Sequence, residues 1–259
     1  MGRKGKAPAD AAARTEETSA PRARYLRFGK SKVDKTVIIA LEECGMVPKG
    51  QCRAPKSEAV PEPRDDEAVI FLDFLNAGLR LPCDNLVPKV LKVFGIQLHH
   101  LTPNAVLRLA AFVWACRSIG VGVHSQVFTH FHSLHYQPRR VADQDMDAAF
   151  GVVNFVPRRG SKYFAMDGKN KWSSDWTEHW LYHKVTSSDL VSKMAPLTYH
   201  HVEASALSPE PAEAAARVRH LADRLSLRDL VEEFVALGLA PLSTSWPKLK
   251  ITPARPGEL

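Results

Sequence analysis

Residues Glu67–Cys116, EAVIFLDFLNAGLRLPCDNLVPKVLKVFGIQLHHLTPNAVLRLAAFVWAC, decide the fold. The stretch divides into three apolar segments, each bounded by a helix start or stop signal. The first, Ala68–Leu75, reads as a helix that ends near Gly78. Asp84 can cap a second, which runs to Gly95. Thr102-Pro103 opens the third, with threonine as N-cap and proline at the first helical position, where its missing N–H is not needed. No catalytic motif interrupts the three segments. They describe packing and not a reaction.

Weaker elements flank this core. Val37–Leu41 starts a short helix, capped by Ser31 or Asp34 and stopped at Gly45. Residues 47–66, with four prolines and many charges, read as a loop crossing to the main body. Ser125–Leu134 continues as helix, with Val127, Phe128 and Phe131 on one face. Phe150–Pro157 (FGVVNFVP) has strand composition, with Tyr163–Met166 as its expected hairpin partner across RRGSK. For Trp176–Val185, periodicity leaves helix and strand both open. Two helices close the chain: Glu210–Leu225, capped by Ser208 with Pro209 at N1, and a second entered through a Ser226/Asp229 capping box and ended by Gly238. The expectation is a mainly α-helical α+β fold, a helical core with a small β-hairpin or sheet. Its divisions are a disordered basic arm (1–33), the main helical domain with its β-element (34–186), a linker (187–208), a C-terminal helical pair packing on the main domain (209–242) and a Pro-rich tail (243–259).

Charge is placed unevenly. The 259 residues carry 35 Lys/Arg and 28 Asp/Glu, a formal net of +7. Residues 1–35 alone hold ten Lys/Arg against four Asp/Glu, a net of +6, which leaves the remainder almost neutral. Such a segment associates with polyanions by counterion release and without sequence selectivity. The candidate nucleic-acid-binding residues are therefore Arg3, Lys4, Lys6, Arg22, Arg24, Arg27, Lys30, Lys32 and Lys35. The clusters Arg3-Lys4-x-Lys6 and Arg22–Lys35 also suit nuclear import. The competing reading is a tail that merely solubilises the domain. Four cysteines without a Cys-x-x-Cys pair, no apolar leader and no long apolar run suggest reduced thiols, no membrane partner, and a nuclear or cytoplasmic location.

Several motifs invite chemistry and fall short of it. His130, His132 and His135 (THFHSLH) resemble a metal set, yet on a helix His130 points about 200° from His132. Neither cysteine nor carboxylate stands close enough in sequence to complete the shell. His179 and His183 have zincin spacing, but Glu178 precedes the first histidine where His-Glu-x-x-His is required. Trp172, Trp176 and Trp180 recur every four residues, which indicates either a core stripe or, with Lys162, Lys169 and Lys171 nearby, a stacking platform for a single strand. No P-loop, serine elbow, aspartic-protease motif or zinc knuckle is present. No catalytic residue, metal ligand, cofactor or small-molecule substrate is assigned.

The order VIFLxF…GLRLP, then VFGIQLHHLTPNAVL, then AAFVWAC resembles the gypsy-type transposon domain found in plant genomes. The Leu101–Asn104 LTPN with His99-His100 before it is the most specific piece. Further similarity lies at Gly151–Pro157 with Tyr163, at Trp172, Trp176, Trp180 and Tyr182, at Glu233-Phe234, and at Leu239–Leu242. The resemblance spans roughly 34–250 and is strongest over Val69–Cys116; Arg117 departs from it, standing where the family usually has an acid. It implies descent from a mobile element and no activity attached to residues. The expected function is a non-catalytic, transposon-derived assembly or nucleic-acid-associated module, with self-association conceivable. The alternatives are a degenerate DDE-type transposase or nuclease, which needs three of Asp73, Asp143, Asp167 and Asp175 to converge on metal, and an inert relic.

Overall fold

A computed structural model describes residues 24–139, 147–165, 172–204 and 206–244. In chain order the elements are β1 (Arg24–Tyr25), α1 (Lys35–Glu43), β2 (Cys52–Arg53), β3 (Glu67–Phe71), α2 (Leu72–Asn76), α3 (Leu86–Phe94), α4 (Pro103–Ser118), α5 (Ser125–Phe131), β4 (His132–Tyr136), β5 (Asp147–Ala148), β6 (Val153–Pro157), β7 (Trp180–Lys184), α6 (Pro209–Ala222) and α7 (Leu227–Ala236). The fold is α+β, with more residues in helices than in strands among the described residues.

The helix α4 occupies the centre. From Ala105 to Cys116 every residue is buried, so the helix has no solvent face. Such all-round burial marks a helix enclosed by its neighbours. Four alanines (Ala105, Ala110, Ala111, Ala115) let those neighbours approach. They are α2, α3, α6, α7 and β6. Gly78, just after α2, shows how tight the fit is: its φ of 97° excludes most side chains, and an added Cβ would lie 3.2 Å from the Ala110 Cβ and 3.1 Å from the Pro241 Cδ. The two polar residues in this buried stretch meet partners on other elements. Arg108 Nη1 donates to Asn154 Oδ1 of β6 at 2.8 Å, and Trp114 Nε1 donates to Glu233 Oε2 of α7 at 2.6 Å.

Helix ends follow their local chemistry. Asp34 accepts from Val37 N to start α1, Thr102 accepts from Ala105 N to start α4, and Asp84 accepts from Leu86 N at the entrance to α3. Gly95 closes α3 in the left-handed conformation. Ser226 and Asp229 form the expected reciprocal capping box of α7. Ser208 precedes α6 without a side-chain cap bond, leaving Pro209 to set the entry.

Three sequence expectations are corrected. Glu67–Phe71, read as the start of a helix over Ala68–Leu75, is strand β3, buried at every position; only Leu72–Asn76 is helical. A strand covered on both faces shows the same continuous apolar run as a buried helix. The 125–134 helix stops at Phe131, where the chain turns into β4. This β4 is the antiparallel partner of β6, in the register His132↔Pro157 to Tyr136↔Val153, the place assigned to Tyr163–Met166. The ambiguous Trp176–Val185 segment resolves into a 3-10 turn at Trp176–Glu178 and then β7, the middle strand of the antiparallel sheet β2-β7-β3. The 187–208 segment lies along the body, with Leu190, Ser192 and Leu197 buried; Ser192 hydrogen-bonds the free edge of β3 through Val69 N and Glu67 O.

Ser226→Ala removes one half of the α7 capping box. We expect a loss of about 1 kcal/mol in urea-unfolding free energy with the m-value unchanged.

Candidate nucleic-acid interface

The basic N-terminal region enters the described structure at β1, which pairs in parallel with β5 (Arg24↔Asp147, Tyr25↔Ala148). From there the chain crosses the body, fastened at three points. Phe28 is buried and stacks on Phe150 at 3.9 Å and on Phe71 at 5.5 Å, with Trp180 edge-on at 5.6 Å. The Ser31 hydroxyl donates to Trp180 O at 2.6 Å, and Val33 is buried beside it. Residues 24–33, assigned by composition to a disordered arm, are therefore built into the body. Phe28 and Val33, apolar residues in a largely basic stretch, were the available signal. Arg3, Lys4, Lys6 and Arg22 lie outside the described residues.

Anchoring Phe28, Ser31 and Val33 inward sends the intervening cations outward. Arg27, Lys30, Lys32 and Lys35 are all exposed. Lys32 is committed locally: it reaches Asp175 at 2.7 Å and Glu178 at 2.9 Å. That contact raises the Lys32 pKa and holds the Asp175 carboxyl below the usual range. Both groups are solvent-facing, so the pair contributes little to stability. Arg27, Lys30 and Lys35 make no ion pair among the described residues.

Lys30 and Lys35 stand on one wall of a groove of about 910 Å³ between this segment with α1 and the 52–64 loop, whose far side carries Lys56 and Arg64. Three of its four acids are used internally, while Glu62 is engaged only through its backbone among the described residues. Asp34 caps α1, Glu42 accepts from Gly50 N at 2.7 Å, and Glu58 accepts from the Tyr182 hydroxyl. At its floor Arg53 lies 3.6 Å from the Tyr182 ring centroid and grips buried Glu67 through two bonds of 2.8 Å. Burial opposes the Glu67 charge, but Arg53 and the Arg64 N–H outweigh it and hold the pKa down. Buried and bidentate, this pair is a structural tie and leaves no free charge for a ligand.

The other candidates separate in space. His132 is buried in β4, stacked on Phe128, with Nδ1 3.1 Å from the Phe128 carbonyl; His135 is exposed, and His130 meets Arg219 at 2.8 Å. His183 is buried in β7, while His179 lies half-buried outside that strand. Among the described residues no group of three His, Cys, Asp or Glu could hold a metal. Asp73 bonds Asn76 and Asp175 bonds Lys32; Asp143 and Asp167 lie outside the described residues. The three tryptophans share no helix. Trp180 is fully buried, Trp176 packs edge-on against Phe71 at 4.9 Å, and Trp172 donates to Asn104 Oδ1 at 2.9 Å. All four cysteines are free thiols, and burial pushes Cys83 and Cys116 up to about 12. No helix among the described residues is long and apolar enough to cross a membrane.

Residues 69–136 match the family described as "Putative gypsy type transposon". The match runs from β3 through α4 to the end of β4, and so contains the central helix and its immediate neighbours. It is narrower than the 34–250 span of the sequence resemblance, and it leaves the basic segment and the two C-terminal helices outside. Over these 68 of its 259 residues the chain is similar to that family. No curated protein and no solved structure matches it.

Two outcomes test this geometry. Phe28→Ala should cost about 3–5 kcal/mol of stability, whereas a chain beginning at residue 24 should unfold at the same urea concentration as the full chain. The second concerns His132, whose pKa burial pulls from 6.5 down to about 3. The unfolded chain then takes up the proton first. The His132 contribution is complete above about pH 6.5 and is lost as pH falls through the window toward 3. His132→Gln should flatten the fall in urea-unfolding free energy between about pH 7 and pH 4. It should not abolish it, because burial beside His100 holds His99 well below its ordinary value as well.

Proposed function

We propose that this chain is a non-catalytic, transposon-derived module that associates with nucleic acid through its basic N-terminal segment. The observation that carries this reading is the fastening of that segment to the body through Phe28, Ser31 and Val33, which leaves Arg27, Lys30 and Lys35 exposed and unpaired among the described residues. Ten of the 35 basic residues fall in residues 1–35, so the attraction comes from this end of a body that is otherwise nearly neutral. Binding of this kind is electrostatic, tolerant of sequence and steeply salt-dependent. A nuclear location suits it, as does a cytoplasmic ribonucleoprotein.

The DDE-type alternative draws no support from the described acids, since Asp73 and Asp175 each serve a local hydrogen bond. Assembly through self-association remains a separate reading that sedimentation of the same preparation distinguishes.

The test is binding of a labelled single strand of about 30 nucleotides, and of the matching duplex, across a salt series. Three proteins are compared: the full chain, a chain beginning at residue 24, and the full chain with Arg27, Lys30 and Lys35 changed to Gln. The truncation must stop there, because a start at residue 36 would delete Phe28 and Val33 from the core. We expect affinity to fall with salt in the full chain, and to weaken in both variants with a shallower slope. Equal binding by all three would assign recognition to another surface. No binding by the full chain at low salt would sink the proposal.

A further inference from the structure

The loop that follows β4 carries a cation that the N-terminal segment does not supply. Arg139 is half-buried, and its guanidinium lies 4.7 Å from the Phe150 ring centroid. Phe150 is the ring on which Phe28 stacks, so Arg139 joins the aromatic column that anchors the basic segment. Nη1 donates to Thr177 Oγ1 at 2.8 Å, while Nη2 has only a long contact of 3.4 Å to Phe150 O. Nε is buried without a partner. No carboxylate among the described residues pairs with this guanidinium.

Other desolvated arginines are compensated differently. Arg53 grips Glu67. Arg80 sends Nη1 to the carbonyls of Leu75 and Leu79, both at 2.7 Å, at the negative end of α2. Among the described residues Arg139 has neither a carboxylate nor a set of helix carbonyls, and burial pulls its pKa down with nothing opposing the pull. A guanidinium does not discharge at any ordinary pH, so this site keeps a charge partly withheld from water. The Phe150 face and the Thr177 hydroxyl offset only part of that cost. An anion would offset the rest.

The position of Arg139 says which anion. Ala148 N donates to Arg139 O at 2.8 Å, and Ala148 pairs on its other side with Tyr25. The backbone of β1 is therefore two strand spacings, about 10 Å, from that of Arg139. The basic segment enters the described structure beside this cation and then continues through exposed Arg27 and Lys30. We propose that Arg139 is a phosphate-binding residue that takes one phosphodiester of a strand held by the basic segment and so registers the strand against the body. Guanidinium suits the task because its planar fork meets phosphate oxygens through two hydrogen bonds, which lysine cannot reproduce. This inference rests on the nucleic-acid reading above.

The experiment uses the full chain with Arg139→Gln and Arg139→Lys, read by anisotropy of a labelled single strand across a salt series. The Nε–H resonance of Arg139 is followed in the parent chain during titration with the strand and, separately, with inorganic phosphate. We expect Arg139→Gln to weaken binding about tenfold and to lower the magnitude of the log–log salt slope by about 0.7, the equivalent of one single-strand phosphate. Arg139→Lys should lie between, and the Nε–H resonance should shift saturably with the strand at far lower concentration than with inorganic phosphate. If the parent binds and Arg139→Gln matches it in affinity and slope, the inference is overturned and the N-terminal reading stands. If the parent does not bind, both fall together. An Nε–H response as strong to inorganic phosphate as to the strand indicates a free-anion site and overturns the assignment to a strand. Should Arg139→Gln fail to fold, the parent titration decides: a saturable shift supports the site, and an unmoved resonance removes it.

Discussion

A helix with no solvent face has to be enclosed, and α4 sets this requirement for the whole molecule. Residues Ala105–Cys116 would lie unsupported without α2, α3, α6, α7 and β6 around them. Much of the enclosure is tied by polar contacts at the helix and its ends. Thr102 N donates to Val153 O, Arg108 reaches Asn154, Trp114 reaches Glu233, and Arg117 Nη2 reaches Asp84 at 2.6 Å. Each is worth little net while satisfied and costs much when one partner is lost, because the other is left without water. Such bonds select one arrangement among the many that an alanine-rich helix would tolerate. The family match over residues 69–136 covers this helix and the strands and helices just before and after it.

The basic segment depends on the same core at one remove. Phe28 stacks on Phe71 at the end of β3 and on Phe150 ahead of β6, and Ser31 bonds the backbone of β7 at Trp180. The segment therefore ties the β2-β7-β3 sheet to the chain just ahead of β6 before α1 begins. A polypeptide so fastened loses the freedom of a solvated tail, and that ordering is offset by burying two large apolar side chains. Its cations acquire fixed positions as a consequence of hydrophobic packing and not of electrostatics.

What could be read from the sequence divides along the line between local and non-local physics. Thr102-Pro103, Gly95 and the Ser226/Asp229 box announce helix ends through interactions within four residues and stand where they were read, and of the two caps open for α1, Ser31 and Asp34, the structure uses Asp34. The strand β3 did not announce itself, because Glu67–Phe71 is covered on both faces and its alternation is erased. The pairing of β6 with β4 rather than with the nearer Tyr163 segment is a choice made by the core across some twenty residues, and no turn motif encodes it. The same holds for the site. Basic residues can be counted in a sequence, but their pairing cannot: Lys32 is committed to Asp175 across 143 positions, and Lys30 is not. Arg139 carries no mark in the string QPRRV; that no carboxylate among the described residues pairs with it is visible only once Phe150 and Thr177 are placed beside it.

A freely tethered basic arm gathers polyanions without orienting them, since phosphate attraction by itself carries neither sequence nor register. Fixing the arm to a rigid body alters this. Exposed cations at Arg27 and Lys30 then have set positions relative to the half-buried guanidinium of Arg139, and on the proposed reading a strand that met all three would lie in one direction. On that reading, the packing of Phe28 would meet in advance the loop-closure cost of bringing a bound strand to the body. On the reading proposed above, a nearly neutral body would in this way direct a ligand that it hardly attracts: charge at one end would capture the strand, and one half-buried cation at the root of that end would decide where it rests.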